Sequence, residues 1–219
     1  MECCDRRSKT DATVLGVGEG MKFGAGIGFA IVALFAFRFA YIADELKQVR
    51  VIAIGDSITH GQGEGSYVEA LDGPGYHARA VAFPGYTARD LIREVEPWSA
   101  HVVLIQAGTN DLFAGMDPIE GLRDLIREVK RDNPQARIIV GTIPPIQPVQ
   151  RLERGLLTVD PAKVDAVNAK LPSLCRSEGV TLWRHDIDPA TDLLPDGVHP
   201  NSRGVSVLGQ SWLRAIRAS

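Results

Sequence analysis

From residue 50 onward the chain alternates short apolar runs of β character with longer segments whose apolar residues recur every three or four positions. The runs Val51–Ile54, Ala78–Phe83, Val102–Ala107, Arg137–Thr142 and Val180–Trp183 read as strands, and the segments between them read as helices. Thr87 with Asp90 three positions on is a capping pair. Asp117-Pro118 opens a helix with Glu120 in its first turn and Leu122, Leu125, Ile126 and Val129 on one face. Asp160-Pro161 opens another, with Val164, Val167, Leu171 and Leu174 inward, and Pro172 predicts a kink within it. The last helix begins near Ser202 and turns Val205, Leu208, Trp212, Leu213 and Ile216 to the core. Strands alternating with helices predict an α/β fold, a three-layer α/β/α sandwich around a five-stranded parallel sheet.

The amino-terminal pattern is different. Phe23 to Phe37 is apolar without interruption, Arg38 follows, and apolar residues resume to Ala43. Those 21 residues are long enough to span a bilayer if Arg38 snorkels to the headgroups. Arg6, Arg7, Lys9 and Lys22 precede the run, which orients the amino terminus to the cytoplasm and the remainder outside. The expected organisation is a flexible segment 1–22, a membrane anchor or signal 23–43, a linker 44–49 and one domain, 50–219. An uncleaved anchor is favoured, because cuts after Ala40 or Ala43 place Arg38 or Tyr41 where a small residue is needed. Secretion after cleavage, and a buried core helix, are the alternatives. Met21-Lys22 resembles a second translation start. The expected location is therefore extracytoplasmic, at a membrane.

Composition narrows the function by exclusion. Lys+Arg 24 against Asp+Glu 27 leaves a net charge of -3, without the basic field a nucleic-acid binder uses. Cys3, Cys4 and Cys175 supply neither a disulfide framework nor metal-ligand spacing, and the adjacent pair reads as free surface thiols. Gly61, Gly63 and Gly65 lack the following helix and acidic partner of a dinucleotide fingerprint.

In open α/β sheets ligands lie beyond the carboxyl ends of the strands. Gly55-Asp56-Ser57 follows the first strand, Pro84-Gly85-Tyr86 the second, Gly108-Thr109-Asn110-Asp111 the third, and Asp196-Gly197-Val198-His199 the fifth. Each alone reads more readily as a turn or cap than as chemistry. Together they bring a hydroxyl, an imidazole, a carboxylate and an amide to one sheet edge, the set that acyl transfer needs. Ser57 needs a base with a pKa near the operating pH, which His199 supplies; Asp196, three residues earlier, can turn back to hold the other ring nitrogen. The backbone N–H groups of Ser57 and Gly85 and the side-chain amide of Asn110 are the available oxyanion donors. Glycine at 85 suits a close approach of backbone to that oxygen.

With those residues in view the chain resembles the GDSL esterases, also called SGNH hydrolases. The resemblance covers nearly all of 50–219, through GDSIT at Gly55–Thr59, the glycine block at Gly85, GTND at Gly108–Asp111 and DGVHPN at Asp196–Asn201. It implies a flavodoxin-like sheet of order 2-1-3-4-5, Ser57 as nucleophile and oxyanion donor, Gly85 and Asn110 as further donors, His199 as base and Asp196 as its partner. It implies no metal and no organic cofactor. The second block departs from the family pattern, with Pro84 before the glycine and Ala88 three residues after it where Asn and Gly are frequent. The PGYT and PDGVHPN wording looks most like the carbohydrate-esterase branch that removes acetyl groups from xylan and related polysaccharides.

Rival assignments are weaker. His60 is a second candidate base close to Ser57; His101 precedes a strand and His77 sits among turn residues; His185, Asp186 and Asp188 lack recognised metal spacing. Tyr86 is placed to line a sugar site. The long stretch Ile143–Val159 is a substrate-contact candidate. The 28 positions between Ser57 and Gly85 leave no room for a lid domain, which suits a short acyl group on a bulky alcohol. An acetyl ester on a polysaccharide or cell-wall glycan is the first expectation. A lysophospholipase or thioesterase, with Leu152, Leu156 and Leu157 against a longer chain, is the second. An anchored glycan-binding protein without turnover is the third.

Overall fold

The computed structural model describes residues 48–148 and 159–218 together with positions 34 and 38. The chain divides into Met1–Leu46 and Lys47–Ser219. In the first unit Leu34 and Arg38 are helical and exposed. Apart from those two, the segments read as flexible tail and as anchor lie outside the described residues, as do Leu152, Leu156 and Leu157. Among the described residues no helix is long and apolar enough to cross a membrane.

The second unit runs β1 (Val49–Gly55), α1 (Ser57–His60), a 3-10 turn (Tyr67–Leu71), β2 (Tyr76–Ala82), α2 (Ala88–Leu91), a 3-10 turn (Ile92–Glu94), β3 (Val102–Gln106), α3 (Thr109–Phe113) and α4 (Ile119–Asp132). It continues β4 (Arg137–Gly141), α5 (Pro161–Asn168), α6 (Leu171–Glu178), β5 (Thr181–Trp183), α7 (Pro189–Asp192) and α8 (Ser202–Ala218). All five strands are parallel, in the order β2-β1-β3-β4-β5 that the resemblance implied.

Strand parity sorts the core into two layers. Ile52, Ile54, Val103, Ile105, Ile138 and Val140 face α2, α4 and α6, meeting Leu91, Leu125, Ile126, Leu171 and Leu174. The alternate residues Val51, Ala53, Val102, Leu104 and Ile139 face the other way, onto Tyr67, Leu71, Leu208, Trp212 and Ile216. Both faces of β1 and β3 are covered, so these strands read as continuous apolar runs, whereas the edge strand β2 is only partly buried. At roughly 1.5–3 kcal/mol for each large side chain buried, these two layers are the main favourable term in folding.

Two local expectations are revised. The single kinked helix from Asp160 is two helices, α5 and α6, separated at Ala169-Lys170. Pro172 has no N–H to bond four residues back and sits in the first turn of α6, where none is needed. The capping box at Thr87 is present, but α2 gives way to the 3-10 turn at Ile92 after one turn.

Helix α8 approaches α7 so closely that a Cβ at Gly204 would lie 2.1 Å from the Asp192 carbonyl oxygen. Gly204→Ala must therefore push α8 away from the segment that leads to His199. We expect a stability loss of about 1–3 kcal/mol in urea unfolding. An unchanged midpoint would show that the contact yields freely.

Candidate active site

Register brings the chemistry together. Gly55 is level with Ala82 on one side and Gln106 on the other, so the adjacent strands β2, β1 and β3 end side by side. Ser57, Gly85 and Asn110 each lie a few residues beyond those ends, on connections leaving β1, β2 and β3. Sheet order alone thus gathers three residues widely separated in sequence.

The first connection is a sharp one. Asp56 leaves the strand, and its Oδ1 accepts from the N–H of Ile58 at 3.0 Å, starting α1 with Ser57 as its first residue. A first helical residue has no carbonyl partner for its amide within the helix, so the Ser57 N–H faces outward. In the second connection Gly85 has φ +83, a conformation that disfavours any side chain. A Cβ there would meet nothing within 4 Å, so the need for glycine is conformational rather than a close approach within the protein. Tyr86 stacks on Phe83 with centroids 4.9 Å apart, and Arg93 lies 6.0 Å from the Tyr86 ring. In the third connection Asn110 Nδ2 donates to the Tyr86 carbonyl at 2.9 Å. That bond ties the second and third connections together and uses one of two amide hydrogens.

His199 arrives from the far edge. Leu193 and Pro200 bridge in antiparallel fashion, the Leu194 N–H donates to the His199 carbonyl at 2.8 Å, and the chain between them folds back on itself. Within this turn Asp196 Oδ1 accepts from the N–H groups of Val198 (2.9 Å) and His199 (3.0 Å). Asp196 Oδ2 meets His199 Nδ1 at 2.7 Å, and His199 Nε2 meets Ser57 Oγ at 2.9 Å. The carboxylate partner fixes the proton on Nδ1 and leaves Nε2 as the acceptor facing the hydroxyl. Partial burial pushes the Asp196 carboxyl up, but the hydrogen bonds from the His199 ring and from both amides outweigh it and hold the group below its ordinary range. An imidazole so held can take a proton from a hydroxyl and return it to a leaving group.

Neighbouring segments hold this turn in place. The Gln147 N–H donates to the Gly197 carbonyl at 2.8 Å, and Val198 packs on the cluster of Leu112, Ile143, Ile146, Val159, Val164 and Val167. The described part of the long 143–159 stretch therefore supports the turn that carries His199. Glu64, which sequence reasoning missed, accepts at 2.6 Å from both the N–H and the hydroxyl of Ser202, joining the loop after α1 to the start of α8.

The rival histidines fall elsewhere. His60 is exposed at the end of α1, and Ser57 pairs with His199 instead. His77 pairs with Asp72 on the surface, and His101 Nδ1 accepts from the Arg50 N–H. His185 is half-buried, its ring packed edge-on against Trp212 with Nδ1 3.0 Å from Ser211 Oγ, and loss of hydration pushes its imidazole down to about 3. Two carboxylates of the motifs, which in sequence read only as turn or cap residues, make capping contacts. Asp111 Oδ2 accepts from the Ala88 N–H at 2.9 Å and caps α2 from outside. Asp56 is 1 % exposed, and its burial outweighs the Ile58 hydrogen bond and the attraction of His199, pushing the carboxyl up to about 7.

A sequence model of the GDSL-like lipase/acylhydrolase family matches residues 53–207. The chain belongs to this family. The match spans all the connections described above. A multidomain esterase of Ruminococcus flavefaciens is 29% identical over 128 residues, covering 56% of this chain but 16% of that relative, so the chain spans a small part of it. Among solved structures, a GDSL-like lipase of Bacteroides thetaiotaomicron superposes with TM-score 0.60 at 20% identity, covering 78% of this chain and 88% of that one. A family 3 carbohydrate esterase of Clostridium thermocellum superposes with TM-score 0.62 at 21% identity, covering 78% and 98%. At these identities the likeness is one of fold, the parallel sandwich that GDSL hydrolases share.

Proposed function

We propose that this GDSL-type enzyme is a serine esterase removing short acyl groups, acetyl foremost, from a carbohydrate or cell-wall glycan. Ser57 is the nucleophile, His199 the base and Asp196 its partner. The observation that carries the reading is the 2.9 Å contact between Ser57 Oγ and His199 Nε2, made across 142 positions of sequence. Fold likeness to a carbohydrate esterase supports the substrate class, as do the aromatic faces of Phe83 and Tyr86 beside the glycine turn.

In acylation, Ser57 Oγ bonds to the ester carbonyl carbon while its proton passes to His199 Nε2. The new imidazolium is held at Nδ1 by Asp196. Negative charge on the former carbonyl oxygen is met by the Ser57 and Gly85 N–H groups and the second Asn110 amide hydrogen. Collapse breaks the bond to the sugar oxygen, which leaves with the proton from His199. Water then attacks the acyl-serine by the same route, releasing acetate and restoring the Ser57 hydroxyl. No step needs a metal or organic cofactor. The apolar run 23–43 supports an extracytoplasmic, membrane-tethered location for this activity, with secretion after cleavage as the other arrangement.

Acyl-chain profiling tests the substrate class. Rates on 4-nitrophenyl esters should fall from acetyl to decanoyl, and acetylated xylan should release acetate. Rates that climb steeply with chain length would replace this reading with a lysophospholipase or thioesterase.

A further inference from the structure

Nucleophile and base are joined by more than their mutual contact. The loop leaving α1 starts from Ser57 itself, whose carbonyl accepts from the N–H groups of Gly61 (3.1 Å) and Gln62 (2.9 Å). Gly61, Gly63 and Gly65 then take φ values of +92, +113 and +117, so the backbone folds back on itself over a short span. The tip of this loop lies on the turn that carries the base. A Cβ at Gly63 would be 3.2 Å from the Pro200 carbonyl oxygen and 3.5 Å from the His199 Cβ. One residue on, Glu64 Oε2 accepts from the Ser202 hydroxyl and N–H, both at 2.6 Å, and these bonds hold the carboxyl below its ordinary range. The loop's return is anchored as well, since Ser66 Oγ donates to the Thr59 carbonyl at 2.7 Å.

Other ties of the His199 turn run to other neighbours. Asn201 Nδ2 donates to the Thr191 and Leu193 carbonyls at 2.9 and 3.2 Å, the Asn201 N–H donates to the Asp192 carbonyl at 2.9 Å, and Arg203 pairs with Asp192 at 2.6 Å. Gln147 steadies the turn from the connection after β4. Those bonds keep the turn's shape and seat it on α7, but none of them reaches α1 or its loop. We propose that Glu64 is a positioning residue, a clasp between the loop after Ser57 and the start of α8 that holds His199 Nε2 at the 2.9 Å reach where it can take the serine proton and hand it to the leaving oxygen. The inference rests on the reading of Ser57 and His199 as nucleophile and base. Glu64 acts through Ser202, three residues beyond the base, and takes no part in proton transfer.

Two acetates compared in kcat/KM read the position of the base. 4-Nitrophenyl acetate releases a phenolate that leaves without a proton, so it needs His199 mainly as base, whereas ethyl acetate must also be handed a proton as its alkoxide departs. In the full chain, Glu64→Ala should lower kcat/KM about 10–10²-fold, the scale of a displacement of roughly 1 Å, with the larger loss on ethyl acetate. Glu64→Gln keeps an oxygen able to accept both hydrogens and should recover most of that loss. Ser202→Ala keeps the N–H and loses the hydroxyl, so it should show a smaller fall with the same preference, and it serves as the test if Glu64→Ala does not fold. Because the two side chains make one contact, the double variant should be about as slow as Glu64→Ala alone. A role confined to the scaffold would lower Tm and leave both rates, assayed well below the Tm of either protein, equal to those of the parent. That result, an equal loss on the two esters, or a Glu64→Gln as slow as Glu64→Ala overturns the inference even where Ser57→Ala is inactive. A fully active Ser57→Ala removes the reading beneath it instead.

Discussion

Ser57→Ala is expected to lower kcat/KM for 4-nitrophenyl acetate by about 10⁴–10⁶-fold while leaving Tm within about 4 °C of the parent. The hydroxyl makes one neutral hydrogen bond, to His199 Nε2, and such a bond contributes about 0.5–1.5 kcal/mol to folding. In the proposed mechanism its catalytic share is far larger, because without Oγ no acyl-serine forms and His199 has no nucleophile to deprotonate. The residual rate should be that of a site that still binds ester and still offers Gly85 and Asn110 to the carbonyl oxygen. Affinity for an acetylated glycan should survive, which makes the variant a useful trap for natural substrate. Equal rates for Ser57→Ala and parent, with glycan affinity retained, would make the protein a binding module that kept the fold without turnover.

The core was legible because it depends on local pattern. Ile52 and Ile54 against Val51 and Ala53 is a period-two alternation, and the structure sends the two pairs to opposite faces of β1. Leu122, Leu125, Ile126 and Val129 form a stripe with one side to bury, and α4 buries it. The convergence of the candidate site residues was legible for a related reason. Strand ends in a parallel sheet share one edge, so motifs following successive strands converge whatever their separation in sequence.

What the sequence hid was burial and long-range pairing. Asp56 reads as a helix cap, and it is one; nothing local says that its second oxygen is sealed beneath the site. Glu64 reads as a surface charge in a glycine-rich turn, and its partner Ser202 is 138 positions away. Pro172 was seen, but whether a proline bends a helix or begins a new one depends on whether neighbouring residues can satisfy the freed carbonyls. At Gly85 the sequence suggests a close approach of backbone to substrate, and the structure adds a requirement no local pattern announces, a φ of +83.

Asn110→Ala carries the second large effect, a fall in kcat of about 10²–10³-fold with little change in KM. The amide has two hydrogens with different tasks. One is committed to the Tyr86 carbonyl at 2.9 Å in the resting protein. In the proposed mechanism the other meets the oxyanion, which bears its full charge only in the tetrahedral intermediate, so removing it costs the transition state more than the bound ester. A purely architectural Asn110 would behave otherwise. Loss of the Tyr86 tether would loosen the connection that carries Gly85, raise KM and lower Tm together, and spare kcat at saturation. Asn110→Asp separates the two tasks further. Its carboxylate can neither donate to the Tyr86 carbonyl nor face a developing negative charge without repulsion, so kcat should fall below that of the alanine variant. A variant pair whose kcat values match the parent while KM rises would leave the oxyanion to the Ser57 and Gly85 amides alone.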